Sequence, residues 1–406
     1  MAANRPLVTD FATDWDHTDP QWVADPYPIW DDLRERCPVA HTDRFGGAWV
    51  PVTHEAVSAV AYDTEHFTSR SVVVSELRPG PEALPAPIGI APPITSDPPF
   101  HADARRMLLP AFGPKVIAGY EHFTRSLCRA LLDEIGDAPT ADAAIDYAQH
   151  IPVRVIQEML GFPPEDAELL RRFVHMILES VDLPAEERIA QMERGEIDAY
   201  LTARIQDHID NPRDDLTSFL LEAELNGQRL HPDHVRGTIV LLFVAGIDTT
   251  WSAIGSSLWH LAKNPDDRRR LVADPSLIDT AVEEFLRAYA PVTMARLVAE
   301  DFEFEGCPLK AGDWLLLPFP AANRDPAMFE RADEVVIDRQ VNRHAAFGLG
   351  IHRCLGSNLA RMELKIAIEE WLARVPDFEL ADPDAVRWSS GQVRGPRELP
   401  VRIVGG

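Results

Sequence analysis

The residues best suited to chemistry in this chain lie in the segment 347–356, which reads FGLGIHRCLG. Its glycines Gly348 and Gly350 favour a tight turn that larger side chains would obstruct. From Leu355 onward, apolar residues recur at the three- and four-residue spacing of a helix. Cys354 therefore stands where a loop becomes a helix, and the unpaired N–H groups and positive dipole there favour a thiolate. We predict an anionic sulfur that binds a metal.

The other cysteines limit which kind of metal site this can be. Cys37, Cys128 and Cys307 are scattered, and none belongs to a Cys-x-x-Cys pair. A structural zinc site needs four ligands, usually in paired spacing, whereas His352 is the one neighbouring residue that could join Cys354. A thiolate without local partners is suited instead to axial ligation of haem iron. A buried cysteine in a glycine turn, without metal, is the simplest alternative.

A second stretch places polar groups where a core helix should be apolar. Residues 232–263 are predicted to form one helix, which begins at a proline and ends before an Asn-Pro pair. Its segment 239–247 is apolar on all sides, so the helix should run through the centre of the protein. Gly246, Asp248 and Thr249 then interrupt this core, where unbonded polar groups are costly. Either Thr249 bonds a main-chain carbonyl and Asp248 a basic partner, or Gly246 opens the helix and the acid and alcohol move protons at a bound ligand.

The pattern Phe-Gly-x-Gly-x-His-x-Cys-x-Gly, followed by Leu-Ala-Arg, resembles the haem-binding signature of the cytochrome P450 family at every defining position. The resemblance runs from about residue 20 to the end of the chain. It implies a mainly α fold with a small β region, in which the long helix lies over the haem. It also implies one haem-binding monooxygenase domain over residues 21–406, after a loosely ordered segment 1–20.

The resemblance implies haem b as the cofactor and O2 as the co-substrate, with Cys354 as the axial ligand of the iron. Asp248 and Thr249 would form the relay that supplies protons for splitting the O–O bond. His101 and Arg105 are four residues apart, in a segment similar to the family's Asp-Pro-Pro-x-His-x-x-x-Arg, and would hold a haem propionate. Arg296 and His352 would be further propionate ligands. The cofactor-binding residues implied are His101, Arg105, Ala245, Gly246, Arg296, Phe347, Gly348, His352, Cys354 and Gly356.

The same resemblance implies a structural network and a substrate pocket. Glu284 and Arg287 would form a buried ion network with Arg339, which fixes the segment before the cysteine loop. The proline-rich loop 77–99 is apolar enough to fold over a pocket, and the connection 178–186 would overhang the substrate. The residues implied to line the pocket are Val244, Ala245, Thr293, Met294 and Val393.

Local patterns predict the remaining elements. Amphipathic spacing and proline or glycine punctuation indicate several helices, one short strand and a strand-rich segment, 301–318. The C-terminal residues 393–401 are predicted to form a last hairpin whose tip touches substrate. The predicted helices are 29–36, 54–62, 120–135, 144–160, 164–181 and 185–210, and the predicted strand is 49–52.

Composition limits the partners. The formal net charge is −26 and the pI is about 4.9, which argues against nucleic acid or an anionic membrane as a partner. The N-terminus has no signal-peptide pattern and no apolar run reaches the length of a membrane span, so we expect a cytoplasmic protein. No reductase follows the haem domain, so we expect electrons from a separate ferredoxin and ferredoxin reductase. Basic residues near the cysteine are a hypothetical docking patch: Arg106, Lys115, Arg343, Arg353 and Arg361.

Three other functions compete with oxygenation of a small apolar organic substrate. A haem-thiolate sensor or carrier needs neither Asp248 nor Thr249. A peroxide-driven enzyme is a closer rival, but such relatives often replace the acid–alcohol pair. A zinc-thiolate protein is the most distant. The pocket is compatible with terpenoids, aromatics, fatty acids or macrolides, and hydroxylation, epoxidation and O-dealkylation all stay open.

Overall fold

The computed structural model describes residues 5–74, 91–179, 187 and 197–404. This part of the chain is mainly helical with short strands, so the predicted fold class is confirmed. Its helices are α1 (Pro20–Ala24), α2 (Tyr27–Arg36), α3 (His54–Tyr62), α4 (Phe100–Leu108), α5 (Pro114–Ala118), α6 (Glu121–Ile135), α7 (His150–Leu160), α8 (Ala167–Glu179), α9 (Ile197–Asp210), α10 (Leu216–Glu222), α11 (Pro232–Lys263), α12 (Pro265–Ala273), α13 (Ile278–Ala288), α14 (Phe319–Ala322) and α15 (Ser357–Arg374).

Helix α11 has the predicted bounds and lies in the core. The His231 side chain caps its N-terminus by accepting a hydrogen bond from the N–H of Asp233, and Pro232 occupies the first helical position. By length and composition α11 could cross a membrane, but 67% of its most apolar window is buried inside the protein. Such burial is typical of a central core helix, and this helix forms one wall of the candidate site.

The strands form one five-stranded sheet and several small ones. In the largest sheet the order is β1-β2-β10-β7-β3, with β10 antiparallel to β7 and parallel to β2. Residues 301–318 are predicted to form strands with a turn at 309–313, and they contain three strands. Strands β8 and β9 pair with each other around residues 305–306, whereas β10, after 309–313, pairs with β7 and β2. The strands are β1 (Val39–Thr42), β2 (Ala48–Pro51), β3 (Phe67–Thr68), β4 (Thr140–Asp142), β5 (Glu224–Leu225), β6 (Gln228–Arg229), β7 (Thr293–Val298), β8 (Phe302–Phe304), β9 (Cys307–Leu309), β10 (Trp314–Pro318), β11 (Phe378–Leu380), β12 (Arg387–Trp388), β13 (Pro396–Glu398) and β14 (Pro400–Ile403).

The prediction of a last hairpin over residues 393–401 is wrong in its pairing. Strand β13 pairs with β12, whereas β14 pairs with β11 and β4 in a different sheet. The chain changes sheets at Leu399, whose N–H donates to both carboxylate oxygens of Asp142 at 3.0 and 3.1 Å. The observed hairpin therefore has its turn at residues 389–395, and Val393 lies in that turn.

The prediction that residues 1–20 are loosely ordered is wrong for the described part, from residue 5 onward. Trp15 is fully buried, and its ring packs against Trp22 and Phe45. Asp16 is also buried and binds the guanidinium of Arg44 at 2.9 Å. Buried aromatic packing and this ion pair therefore tie the segment to the core.

The helices predicted between residues 117 and 227 are present with shifted ends. The segment predicted as one helix, 144–160, is divided into a π-helical turn, Ala143–Ala148, and α7. Asp142 caps that turn by accepting hydrogen bonds from the next main-chain N–H groups. The start of the helix predicted at 185–210, nearly all of the connection 178–186 and most of the loop 77–99 lie outside the described residues.

Candidate active site

The loop around Cys354 is closed by its own main chain. The N–H of Cys354 donates to the carbonyl of Phe347 at 2.7 Å. Gly350 has φ +66°, and a Cβ added there would lie 2.1 Å from the carbonyl oxygen of Ala61 on α3. Gly348 also has a positive φ, +71°. The two glycines are required because the loop turns through left-handed backbone while pressed against another helix.

Cys354 lies three residues before α15, at the predicted loop-to-helix boundary. Burial raises the pKa of its thiol, and this effect outweighs the opposing N–H of Gly356 and the cations Arg105, Arg353 and Arg361. The prediction that the loop by itself favours a thiolate is therefore wrong. A buried sulfur becomes a thiolate when a metal cation binds it.

A zinc site finds no support around this sulfur. Among the residues that the structure describes, no group of three or more His, Cys, Asp or Glu side chains could hold a metal ion. Cys37, Cys128 and Cys307 are free thiols distinct from Cys354. One protein sulfur is consistent with a metal whose other ligands come from a cofactor.

Four groups that can carry positive charge surround the cysteine loop. The His101 and His352 rings lie 4.3 Å apart between centroids. Arg105, on the same helix as His101, donates to the main-chain carbonyl of Arg353. Arg296, on β7, is 5% exposed and donates to the carbonyl of Ala295 at 2.8 Å. Three distant segments, α4, β7 and the cysteine loop, thus converge on one cradle of four side chains: His101, Arg105, Arg296 and His352.

This cradle has an excess of positive charge. Burial, Arg105 and Arg296 lower the pKa of His101 to about 4. Burial, Arg296, His101 and Arg105 lower the pKa of His352 to about 2. Asp97 is the acid that acts on Arg296, and its carboxylate already accepts hydrogen bonds from Thr68 and Ser69. The cradle therefore requires anions from outside the chain.

An orphaned nitrogen supports the same conclusion. His101 is 3% exposed, and its Nε2 has no hydrogen-bond partner among the described residues. Buried polar groups are normally paired. Haem b carries two propionates, which would pair with this nitrogen and with the arginines, and its iron would take the single sulfur. The donor set therefore fits haem b.

One face of α11 is open in the middle of an otherwise largely buried helix. Ala245 is exposed and Val244 and Thr249 are partly exposed, although the neighbouring turns of the helix are buried. Ala245 and Thr249 are four residues apart and so share a face. The hydroxyl of Thr249 donates to the carbonyl of Ala245 at 2.8 Å. Gly246 lies on the α7 side, where an added Cβ would be 3.6 Å from Ile156.

Asp248 is bound to an arginine that the sequence did not indicate. It is 2% exposed, and Arg397 of β13 donates to its Oδ2 at 2.9 Å. Arg397 also donates to the hydroxyl of Ser252 at 3.0 Å. A Cβ added at Gly395 would lie 2.3 Å from the Cβ of Ser252, so β13 reaches α11 because this residue is glycine. No local pattern links residues so far apart in the sequence.

The predicted pocket residues do not all face the same way. On β7, Met294 and Arg296 share one face, and Thr293 points to the other. Thr293 lines a cavity of about 20 Å³ behind the strand, together with His17 and Trp30. The assignment of Thr293 to the substrate pocket stays a prediction. Val292, just before β7, forms a β-bridge with Val393.

Glu284, Arg287 and Arg339 meet in one buried network. Arg287 donates two hydrogen bonds to the Glu284 carboxylate, at 2.8 and 2.9 Å, and Arg339 donates a third at 2.9 Å. Glu284 and Arg287 are both fully buried. Burial favours the neutral acid, but the arginines prevail and hold the pKa of Glu284 below its usual value. The remaining donors of Arg287 bind carbonyls of residues 323, 332 and 334, which fixes the segment before the cysteine loop.

A second network changes the docking hypothesis. Arg361 binds both oxygens of Glu283, at 2.5 and 2.9 Å, and its guanidinium lies 4.4 Å from the ring centroid of Phe347. His344 donates from Nε2 to the Glu283 carboxylate at 3.0 Å. Arg361 therefore supports the cysteine loop and does not belong to a free basic patch, whereas Arg353 is exposed.

Comparisons with known proteins agree with this geometry. A family model described as Cytochrome P450 matches residues 153–384. The mycinamicin IV hydroxylase/epoxidase of Micromonospora griseorubida is 34% identical over 379 residues, which are 91% of this chain and 94% of that protein. The nocardicin C N-oxygenase of Nocardia uniformis subsp. tsuyamanensis is 34% identical over 361 residues, which are 87% and 89% of the two chains.

Solved structures show the same relationship. The structure of a myxobacterial cytochrome P450, CYP267B1, in complex with myristic acid superposes on this chain with a TM-score of 0.86 and 31% identity. The match covers 96% of this chain and 99% of that one. The cysteine loop and the cationic cradle agree with relatives that match nearly the whole chain. This chain therefore belongs to the cytochrome P450 family of haem-dependent monooxygenases.

Proposed function

We propose that this P450 inserts one oxygen atom of O2 into a small, largely apolar organic substrate, by hydroxylation, epoxidation or O-dealkylation. The observation that best supports the proposal is the cradle of cationic side chains, in which the buried His101 Nε2 has no partner among the described residues, in a chain whose α11 also carries the acid–alcohol pair. We further propose that the enzyme is cytoplasmic and receives electrons from a separate ferredoxin and its reductase. A sensor or carrier would need the sulfur and the cradle but not the pair.

Different residues of this chain would hold the cofactor and contact the substrate. Haem b, when bound through the sulfur of Cys354, supplies the activation of O2. His101, Arg105, Arg296 and His352 hold the propionates and so fix the orientation of the ring. The apolar side chains of Val244 and Ala245 on α11 would exclude water from the pocket and offer the substrate an apolar wall.

Asp248 and Thr249 would supply the protons, starting from the hydrogen bonds that they make in the structure. Thr249 donates its proton to the carbonyl of Ala245, and Asp248 is ion-paired with Arg397. Proton delivery requires the Thr249 hydroxyl to rotate away from that carbonyl and Asp248 to release the guanidinium and take a proton from water. The structural role and the proton-transfer role of this pair are therefore compatible. The side chains make structural hydrogen bonds first and would move protons once these bonds break.

The carbon monoxide difference spectrum of the reduced, haem-loaded protein tests the thiolate ligand. We expect a strongly red-shifted Soret band that is lost in Cys354→Ala and kept in the control Cys307→Ala, because Cys307 is a partly exposed thiol on β9. If well-folded protein made with ample haem has no Soret absorbance, the proposal fails.

A turnover assay separates oxygenation from a sensor or carrier role. With a generic ferredoxin and reductase, we expect incorporation of one 18O atom from 18O2 into product, and Thr249→Ala should consume reductant while releasing peroxide. A protein that binds substrate but shows no incorporation under any electron supply, peroxide included, would be a sensor or carrier.

The names of relatives narrow the choice of first substrates. One relative is a hydroxylase/epoxidase of mycinamicin IV, another an N-oxygenase of nocardicin C, and a neighbouring structure holds myristic acid. We propose to screen apolar and amphipathic compounds of this range by the shift of the Soret band on binding. Substrate size is the first property to vary, because the named compounds differ widely in size.

The redox partner would contact the side of the molecule where the cysteine loop reaches the surface. Arg353 is exposed there, and Arg106 is 71% exposed with an ion pair to Asp103. Rim charges act mainly on association rate and its salt dependence. Arg353→Glu should slow reduction by an acidic ferredoxin at low salt, and the control Arg387→Glu, an exposed arginine on β12, should not. Equal rates in both variants would remove the docking hypothesis.

A further inference from the structure

One histidine of the cationic cradle is held by a buried serine from a distant part of the chain. The hydroxyl of Ser69, directly after β3, lies 2.9 Å from Nε2 of His352 and shares a hydrogen bond with it. Ser69 is 2% exposed. Its hydroxyl makes no other hydrogen bond within the described part of the chain. The one polar group of this side chain is therefore directed at a ring of the cradle.

Asp97 fixes the serine and connects it to the other histidine. Its Oδ1 accepts a hydrogen bond from the N–H of Ser69 at 2.8 Å, and its Oδ2 accepts one from the hydroxyl of Thr68. Its main-chain carbonyl accepts a hydrogen bond from the N–H of His101 at 3.1 Å. The same acid thus holds the end of β3 against the start of α4, and the rings of His101 and His352 lie 4.3 Å apart.

The serine decides which nitrogen of His352 can donate to a ligand. A neutral imidazole carries one N–H, and the hydrogen bond of one nitrogen sets the role of the other. When the Ser69 hydroxyl donates to Nε2, the ring hydrogen lies on Nδ1, which has no hydrogen-bond partner among the described residues. If the hydroxyl accepted from Nε2–H instead, its own hydrogen would be unpaired in a buried place, which is costly.

We propose that Ser69 is a positioning residue for haem, because its hydrogen bond to Nε2 holds the His352 ring in the orientation and tautomer in which Nδ1–H donates to a haem propionate. A carboxylate only accepts hydrogen bonds, so it needs that donor. Ser69 acts through His352 and is not itself a propionate ligand, and Asp97 supports it by fixing its main chain. This inference rests on the proposed function, since it assumes that haem occupies the cradle.

The test measures the rate at which the haem-loaded protein loses haem to an excess of apoglobin, as followed at the Soret band. We expect Ser69→Ala to lose haem about fivefold faster, because the hydrogen bond that orders the ring is gone. Ser71→Ala is the matched control, since Ser71 is partly exposed and its hydroxyl binds no described residue. Ser69→Cys, which keeps a weaker donor in a similar volume, should lie between Ser69→Ala and the parent.

A double-mutant cycle separates positioning from packing. If Ser69 acts through the ring, adding Ser69→Ala to His352→Leu should change the rate of haem loss by less than about twofold. A serine that only packs its segment would instead speed haem loss equally in both backgrounds.

The propionate bending band of the resonance Raman spectrum is a second readout, because it responds to hydrogen bonds made to the propionates. In Ser69→Ala this band should shift in the same direction as in His352→Leu. In Ser71→Ala it should keep its position in the parent protein.

The outcomes separate this inference from the proposed function. Ser69 does not position His352 if, in protein that keeps the parent carbon monoxide spectrum, Ser69→Ala loses haem no faster than Ser71→Ala or has the same effect in both backgrounds. An unshifted propionate band in Ser69→Ala has the same meaning, and the proposed function stands in each of these cases. If the parent protein takes up no haem, the proposed function fails and this inference fails with it.

Discussion

Replacing Arg397 by glutamine should reveal how strongly the C-terminal hairpin controls the acid of α11. The Asp248 and Arg397 side chains are 3% and 12% exposed and bind at 2.9 Å, so both charges are largely withdrawn from water. Removing one partner of a buried ion pair leaves the other charge uncompensated and costs about 3–5 kcal/mol. The hydrogen bond to the buried hydroxyl of Ser252 is lost as well. We therefore expect Arg397→Gln to lower the free energy of unfolding by about 3 kcal/mol near neutral pH.

The assay is urea unfolding at saturating haem, with midpoints compared at equal m-values. The deficit should shrink as the pH falls, because protonating Asp248 removes the uncompensated charge. The double variant Arg397→Gln, Asp248→Asn should recover most of the loss, since neither side chain then carries a charge. Arg402→Gln is the matched control: Arg402 and Glu379 are 62% and 47% exposed, and such pairs contribute at most about 1 kcal/mol.

The protonation of Asp248 should also change in Arg397→Gln, because a carboxylate that has lost its cation takes up a proton more readily. As the pH is lowered, the infrared carbonyl band of a protonated acid should appear at a higher pH in Arg397→Gln than in the parent, and the double variant should lack this pH-dependent band. A loss of stability no larger than that of Arg402→Gln, or a double variant no more stable than the single one, would refute the reasoning.

Three further changes probe separate parts of the argument. Glu284→Gln leaves a fully buried guanidinium uncompensated and should cost about 3–5 kcal/mol of unfolding free energy, and a urea midpoint shift worth less than about 1 kcal/mol contradicts this. Gly350→Ala places a Cβ 2.1 Å from the carbonyl oxygen of Ala61 and should abolish haem uptake measured at the Soret band, whereas Gly306→Ala, also at positive φ but with open space around it, should not. Burial lowers the pKa of His17 from 6.5 to about 4, so about 3 kcal/mol of stability should be lost as the pH falls through this window. In His17→Leu the urea midpoint should depend less on pH across that range. An unchanged pH dependence would show that the segment is not packed as described.

How far the sequence predicts the site depends on how local the determining residues are. The cysteine loop was identified from ten consecutive residues, and α11 from its apolar run and its punctuation, with the predicted bounds. The ionisation of Cys354 was predicted in the wrong direction, because the helix terminus is a local feature whereas the burial that outweighs it comes from the whole fold. The segment 5–20 was misjudged for a similar reason. Its polar composition is visible in the sequence, but the core that receives Trp15 is built by residues beyond it.

The residues that sequence reasoning missed are the ones that act across long separations. Arg397 and Gln392 both lie in the C-terminal β12–β13 hairpin. Arg397 binds Asp248, and the side chain of Gln392 binds the main chain of Val72 and Val74. No spacing rule connects these positions. Each depends on how closely β13 and the turn before it approach the centre of the molecule. The pairing of β13 with β12, which brings these residues there, follows from the whole fold and not from any local pattern.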